Sequence, residues 1–130
     1  MAADQSLLTL KTMTRIINEL TIAAGGERHA DIVVLDQVTL GITVRIAYGA
    51  VAVAGIRVFL LASANNVNFD DEDVLHAWTF FDLPFAGAVV VRQKTVSVDS
   101  VPPYLRVLVR NLDAANAQGT ISVYTTRRTQ

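Results

Sequence analysis

The sequence predicts an all-β chain: a two-sheet antiparallel β-sandwich of jelly-roll type with about eight strands. Three observations lead there. Apolar and polar residues alternate with a period of two along nearly the whole chain, the repeat that turns one side of a strand toward a core. The alternating runs are short, rich in Val, Ile, Thr and aromatic residues, and punctuated by Gly, Pro, Asn and Asp. Helical spacing is nowhere sustained, with at most one turn expected near residues 70–74. Strands with one apolar face each hide that face most simply against a second sheet.

In chain order, residues 1–14 carry "LLTL" apart from the main pattern and are expected to form an N-terminal arm or an edge strand, with 15–130 as a single sandwich domain. The first strand of that domain is expected at 15–22, closed by "AAGGE" at 23–27, and the second at 30–35. A third follows at 40–48, where Ile42, Val44, Ile46 and Tyr48 alternate with Thr43, Arg45 and Ala47. Beyond a Gly/Ala-rich connection comes a fourth at 56–62, with Ile56, Val58 and Leu60 alternating with Arg57 and others, ended by "ASANN" at 62–66. A fifth is expected at 75–81 and, past "DLPFAG" at 82–87, two short ones at 88–92 and 95–98. "VPP" at 101–103 leads into a strand at 104–110, and "NLDAANAQG" at 111–119 separates it from the last, at 120–126.

Residues 42–64 are apolar enough and long enough to imitate a membrane span. Arg45 and Arg57 lie inside that stretch, each costing about 2.5–3.5 kcal/mol at the centre of an inserted helix. The period of two also reads as two strands rather than one helix, so no membrane partner is expected. The amino terminus shows no charged region, apolar core and cleavage site in succession, so the chain is expected to stay in the compartment where it is made.

With 130 residues, one core can form without staples, and no cysteine is present to supply disulfides, thiolate nucleophiles or Cys-based zinc sites. Eleven basic against twelve acidic side chains argue against affinity built on phosphate contacts, so no nucleic-acid partner is expected. The charges are unevenly spread: residues 1–85 hold five basic and ten acidic side chains, and residues 86–130 hold six and two. Complementary contacts between copies are one consequence; interleaving of the strands in three dimensions would average the difference away.

The "NVNFDDEDVLH" segment at 66–76 spaces oxygen donors at Asn66, Asn68, Asp70 and Glu72 like the start of a calcium loop. An EF-hand would place glycine at position 71 and glutamate at position 77, where this chain has Asp71 and Ala77, so a solvated acidic loop is expected over 66–73. His29 and His76 each lack a second ligand at metal spacing. No local context activates Ser63, Ser97, Ser100 or Ser122 as a nucleophile, and Gly25 and Gly26 lack the helix a phosphate cradle requires. The expectation is a non-enzyme with no catalytic, cofactor-binding or metal site. Among the aromatics, alternation sets Trp78 and Phe80 on one face and Phe81 on the other; a buried Trp78–Phe80 pair is expected, with a carbohydrate platform as the alternative. Tyr48, Tyr104 and Tyr124 lie elsewhere. Tyr104, Arg106 and Arg110 could stack on bases, but an RNA-binding sheet needs alternating helices, so that side is expected to face solvent or another subunit.

The order "NELTIAAGGERHADIVVLDQVTLGITVRIAYG", "GIRVFLLASANNVNFDD", "PPYLRVLVRNLDAANAQGTISVY" resembles small all-β virion proteins of tailed bacteriophages, particularly capsid decoration (cement) and related head or tail accessory proteins. The similarity covers about Asn18 to Thr125 and consists of strand and turn patterns. It implies a structural subunit, made in the host cytoplasm and located on the virion, that binds the major capsid protein and reinforces the head, often as a homotrimer. No catalytic or ligand residue comes with it. A tail or neck position in the virion and a carbohydrate-binding module are the alternatives.

Overall fold

The computed structural model describes residues 10–34, 38–50, 52–85, 87, 90–98 and 103–129. Among these, the period-two runs form β1 (Leu10–Leu20), β2 (Glu27–Val33), β3 (Val38–Ala47), β4 (Ile56–Ser63), β5 (Thr79–Leu83), β6 (Val91–Val98), β7 (Tyr104–Asn111) and β8 (Thr120–Thr129). They make two four-stranded antiparallel sheets, β1-β8-β3-β6 and β2-β7-β4-β5. The first strand pairs with the eighth, the second with the seventh, the third with the sixth and the fourth with the fifth. The chain is thus doubled back on itself and rolled up so that successive pairs alternate between sheets, which is the jelly roll. Only the β4–β5 connection stays within one sheet.

The inner faces supply the core: Leu40, Ile42, Val44 and Ile46 from β3 and Ile121 and Val123 from β8 face Ile56, Val58 and Leu60 of β4 and Leu105, Val107 and Val109 of β7, all fully buried. Each such aliphatic side chain stabilises the fold by roughly 1.5–3 kcal/mol relative to exposure. Tyr48, just past β3, ties one sheet to the other: its hydroxyl donates to the Leu83 carbonyl at 2.5 Å and its ring meets Phe85 edge-on at 5.1 Å. Burial pushes that hydroxyl's pKa up to about 12.

One end of the sandwich is clamped by three buried polar residues. Asn111 Nδ2 donates to the carbonyls of Ile22, Ala23 and Asn116, and Gln118 Nε2 to those of Ala54 and Gly55 and to Asn111 Oδ1. Asp113 accepts from the backbone N–H of Val53, Ala115 and Asn116. Three separate loops are joined there. Gly119 has to be glycine, since a Cβ would lie 1.8 Å from the Ala47 carbonyl oxygen.

Several boundaries differ from the expectation. Residues 10–14 belong to β1, an edge strand beside β8, while residues 1–9 of the expected arm lie outside the described residues. Register shifts between Arg15 and Ile17 and between Ile17 and Leu20 interrupt the alternation there, which hides the strand's full length. Over 91–98 the two short strands expected at 88–92 and 95–98 are one strand, β6, because Gln93 and Lys94 pair with Arg45 and Val44 without a break, while residues 88 and 89 lie outside the described residues. The strand expected from residue 75 starts at Thr79: Asp73 Oδ1 accepts from the N–H of Leu75 and His76, and its carbonyl from Ala77, winding 73–77 into a turn. The apolar stretch 42–64 is divided between β3 and β4, and no helix among the described residues is long and apolar enough to cross a membrane.

Candidate functional site

The outer face of the β2-β7-β4-β5 sheet carries the groups that sequence reasoning singled out, and it is not the open face that was expected. Leu108 of β7 points outward yet is only 1% exposed, together with Phe59 and Leu61 of β4, in a second apolar cluster. The covering is the connection between β4 and β5, residues 64–78, which lays Phe69 and Ala77 over that cluster. The connection acts as a strap.

Local chemistry sets the strap's path. Ser63 Oγ accepts from the N–H of Asn66 at 3.0 Å, and Asn65 Oδ1 from those of Val67 and Asn68, each at 2.9 Å. Asn66 takes φ 61°, the left-handed region that asparagine tolerates better than most side chains. Asp70 then returns to the strand, its N–H bonding the Ala62 carbonyl and its Oδ2 accepting from the Ala62 N–H. Sequence-local bonds therefore bend the chain back over the face it has just left.

Strand register places each guanidinium opposite a carboxylate. Asp31 is paired with Arg106, Asp82 with Arg57 and Glu27 with Arg110. The Nε–Oδ1 distances are 2.7 Å for both Arg106–Asp31 and Arg57–Asp82, and Arg110 Nη2 lies 3.0 Å from Glu27 Oε2 and 3.4 Å from Glu72 Oε2 on the strap. The hydrogen bond from Arg106 holds the Asp31 carboxyl below its ordinary range, and Asp31 and Asp82 raise Arg106 and Arg57 above theirs. These guanidinium groups also stack: Arg106 lies over Phe69 at 4.1 Å, Arg110 over Phe59 at 4.9 Å and Arg57 over Phe80 at 5.3 Å. Beside Arg106, an open depression of about 360 Å³ is lined by Leu61, Val67, Phe69, Asp70, Asp71 and Glu72.

Two members of the calcium-like series have different partners: the Asp70 carboxylate accepts from the Ala62 N–H, while that of Glu72 meets Arg110. His76 does acquire neighbours that its sequence spacing did not reveal. Asp71, Asp73 and His76 bring one ligand atom each within 4.8 Å of one another, with His76 Nδ1 2.8 Å from Asp73 Oδ1. His29 stands on β2 opposite Leu108. Ser63 is a turn acceptor, Ser97 is exposed on β6 and Ser122 buried on β8; Ser100 lies outside the described residues. Gly25 and Gly26 form the β1–β2 turn, Gly25 at φ +65° with its N–H on the Asp113 carbonyl.

The aromatic assignment is corrected. Phe80 lies on the outer side and is 39% exposed, and Trp78, which precedes β5 on the strap, is 41% exposed, whereas Phe81 is buried in the main core. Phe80 stands opposite Phe59 in the register, with ring centroids 6.3 Å apart. Tyr48 is buried, and Tyr104 and Tyr124 are half-buried, Tyr124 beneath Arg15 at 5.2 Å. Alternation gave the parity of the strand; the core side belonged to Thr79, Phe81 and Leu83, which face Leu60, Val58 and Ile56. Sequence reasoning also missed Asn111, Asp113 and Gln118, whose signal was an Asn-x-Asp pair at the close of an apolar strand.

No family model and no curated protein matches the chain. Solved structures do. The Clostridium thermocellum endo-1,4-β-D-xylanase 10B CBM22-1–GH10 modules, complexed with xylohexaose, match with a TM-score of 0.53 at 6% identity, covering 95% of this chain and 25% of that one. A disulfide-linked pilus subunit of Bacillus endospore appendages matches at 0.49 and 12% identity, over 94% and 90% of the two chains. A CBM4 carbohydrate-binding module matches at 0.47 and 10% identity, over 92% and 71%. At such identities the likeness concerns the fold alone.

Proposed function

We propose that this protein is a non-catalytic assembly subunit of a phage virion, a capsid decoration or related accessory protein that acts through the surfaces its sandwich presents. The observation that carries the reading is the strap. It exposes Val67, Val74, Leu75 and Trp78 within one short segment, and exposed apolar side chains concentrated in this way are a usual mark of a protein contact. The strap is braced by Arg110 and Arg106 and by the Asp70–Ala62 bonds, so the patch is preorganised and loses little freedom on docking. The strand and turn order that resembles phage accessory proteins supplies the virion context, with the major capsid protein as partner. Purified protein added to undecorated capsids is expected to bind saturably and to be found in purified virions; no saturable binding together with absence from virions overturns the reading.

A second reading is favoured by one observation, the exposure of Trp78 and Phe80 where burial was expected. Exposed rings on a sandwich offer a stacking surface for sugars, and a carbohydrate-binding module for surface glycans would use them. A glycan array bound by the wild type and not by Trp78→Ala would establish that reading; silence of the wild type removes it.

A further inference from the structure

The outer face of the β1-β8-β3-β6 sheet carries no strap, and its arginines are placed differently from those of the opposite face. Register builds this face in rows across the strands: Arg15, Tyr124, Thr43 and Thr95 form one, and Ser122, Arg45 and Gln93 the next. On the opposite face Arg57, Arg106 and Arg110 each have a carboxylate at 2.7–3.0 Å. Here the strands supply none. β3, β6 and β8 contain no Asp or Glu, and the one carboxylate of β1, Glu19, falls within the register shift between Ile17 and Leu20. Arg45 is exposed, and among the described residues it makes no hydrogen bond, ion pair or ring contact. Arg15 lies over the Tyr124 ring and gives an Nη1 hydrogen to Asn18 Oδ1, which leaves the other donors of its guanidinium fork to a partner.

What surrounds these two cations decides the class of partner. Thr43 and Thr95 share a hydroxyl hydrogen bond of 2.7 Å, which still leaves one O–H to donate and lone pairs to accept. Gln93, directly opposite Arg45, adds an exposed amide. A protein contact is organised around an apolar centre, whereas Met13 and Val91, the large exposed apolar side chains here, stand on the two edge strands. Single-stranded nucleic acid needs free rings on which to stack its bases, and Tyr124 is half-buried beneath Arg15. Hydroxyls and an amide beside unpaired guanidinium groups suit a polymer that carries both hydroxyl and anionic groups. Spacings of about 5 Å between strands and about 7 Å between alternate positions set the Arg15 and Arg45 backbones about 12 Å apart on a diagonal, so one polymer can be held at two anionic groups at once.

We propose that this face binds an acidic polysaccharide, with Arg15 and Arg45 receiving its carboxylate or sulfate groups and Thr43, Thr95 and Gln93 its hydroxyls. The face lies on the other sheet from the strap, so this binding depends neither on capsid attachment nor on the stacking surface at Trp78 and Phe80. The exposed charges make it sensitive to salt.

Isothermal calorimetry on the full chain with four polymers tests it. Polygalacturonate carries carboxylates and dextran sulfate carries sulfates; dextran lacks the charge, and polyglutamate lacks the sugar hydroxyls. Saturable binding of at least one acidic polysaccharide is expected, the tighter of the two naming the anion, weakening as salt rises and exceeding that of dextran and polyglutamate. Arg15→Ala and Arg45→Ala are each expected to raise its Kd by at least about tenfold, the loss of one charge-assisted pair. Thr43→Val is expected to raise it about threefold, the loss of one neutral hydrogen bond. A melting curve accompanies each variant, and Arg45→Gln stands in if Arg45→Ala fails to fold. No binding of either acidic polysaccharide, equal binding of polyglutamate, or a Kd unmoved by the arginine substitutions overturns the proposal. Binding lost in Trp78→Ala and kept in Arg45→Ala overturns it too, in favour of the stacking surface. Failure here leaves capsid attachment standing, and a protein that ignores capsids yet binds the acidic polymer does the reverse.

Discussion

The two outer faces of the sandwich are cut from the same alternating strands and treated in opposite ways. On the β1-β8-β3-β6 sheet the outward positions include Thr43, Arg45, Gln93, Thr95 and Tyr124, and Thr43 and Thr95, register partners, share a hydroxyl hydrogen bond of 2.7 Å. On the β2-β7-β4-β5 sheet the outward positions at the centre are Phe59, Leu61 and Leu108, ringed by three arginine–carboxylate pairs and roofed by residues 64–78. A face that is polar needs no cover; a face that is apolar at its centre acquires one from the connection nearest to it. The difference teaches that the β4–β5 strap is a small folded layer with its own core, and that what it displays is fixed in place by what it hides.

The comparison breaks most visibly at Phe59. Replacing this buried ring by alanine removes the floor under Phe69 and Arg110, and a loss of roughly 3–5 kcal/mol in chemical denaturation is expected, as for other buried aromatic truncations. Thr43→Ala on the open face is expected to stay within about 0.5 kcal/mol by the same measurement. Near-equal effects would mean that the two faces do not differ as described.

Acid should act on the clamp and the strap rather than on the open face. Three backbone donors, the Val53 N–H first, pull the Asp113 carboxyl down to about 2 from an ordinary 3.8, and the Arg106 hydrogen bond lowers Asp31 in the same direction. A carboxylate whose folded-state pKa is depressed stabilises the fold above its unfolded pKa and loses that contribution as pH falls through the folded value. The melting temperature is therefore expected to drop between about pH 4 and pH 2, and less so for Asp113→Asn, which has already given up the charge. The smallest effect is expected at the rim. Arg106→Met, keeping much of the stem over Phe69, removes a half-exposed ion pair contributing at most about 1 kcal/mol, and a thermal melt resolves it.

Much of this fold could be read in advance because a period of two is a direct imprint of burial. Ile42, Val44, Ile46 and Tyr48 face the core as their alternation requires, and the turn clusters fall between strands. Where both sides of a strand meet apolar or both meet wet surroundings, the imprint fades. β4, "IRVFLLAS", is buried on both faces, so its outward Phe59 and Leu61 gave no sign of a second cluster; β6 is exposed on both, so one strand looked like two. The face carrying Arg106 and Arg110 was legible as polar, but not its carboxylate partners, because Asp31 and Glu27 lie more than seventy residues away along the chain and meet them only through register. Phe80 was misplaced for a related reason, since alternation fixes which residues share a side and only the sheet decides which side is inside, while Trp78 lies before β5 and outside its alternation.

Amide hydrogen exchange on the strap tests the central claim most directly. The N–H of Asp70 is bonded to the Ala62 carbonyl and that of Ala77 to the Asp73 carbonyl, above a buried cluster. A folded layer predicts measurable protection at both amides in the wild type, lost together in Phe59→Ala while amides of β3 and β8 stay protected. Strap amides that exchange in the wild type at the rate of an unstructured peptide would contradict it.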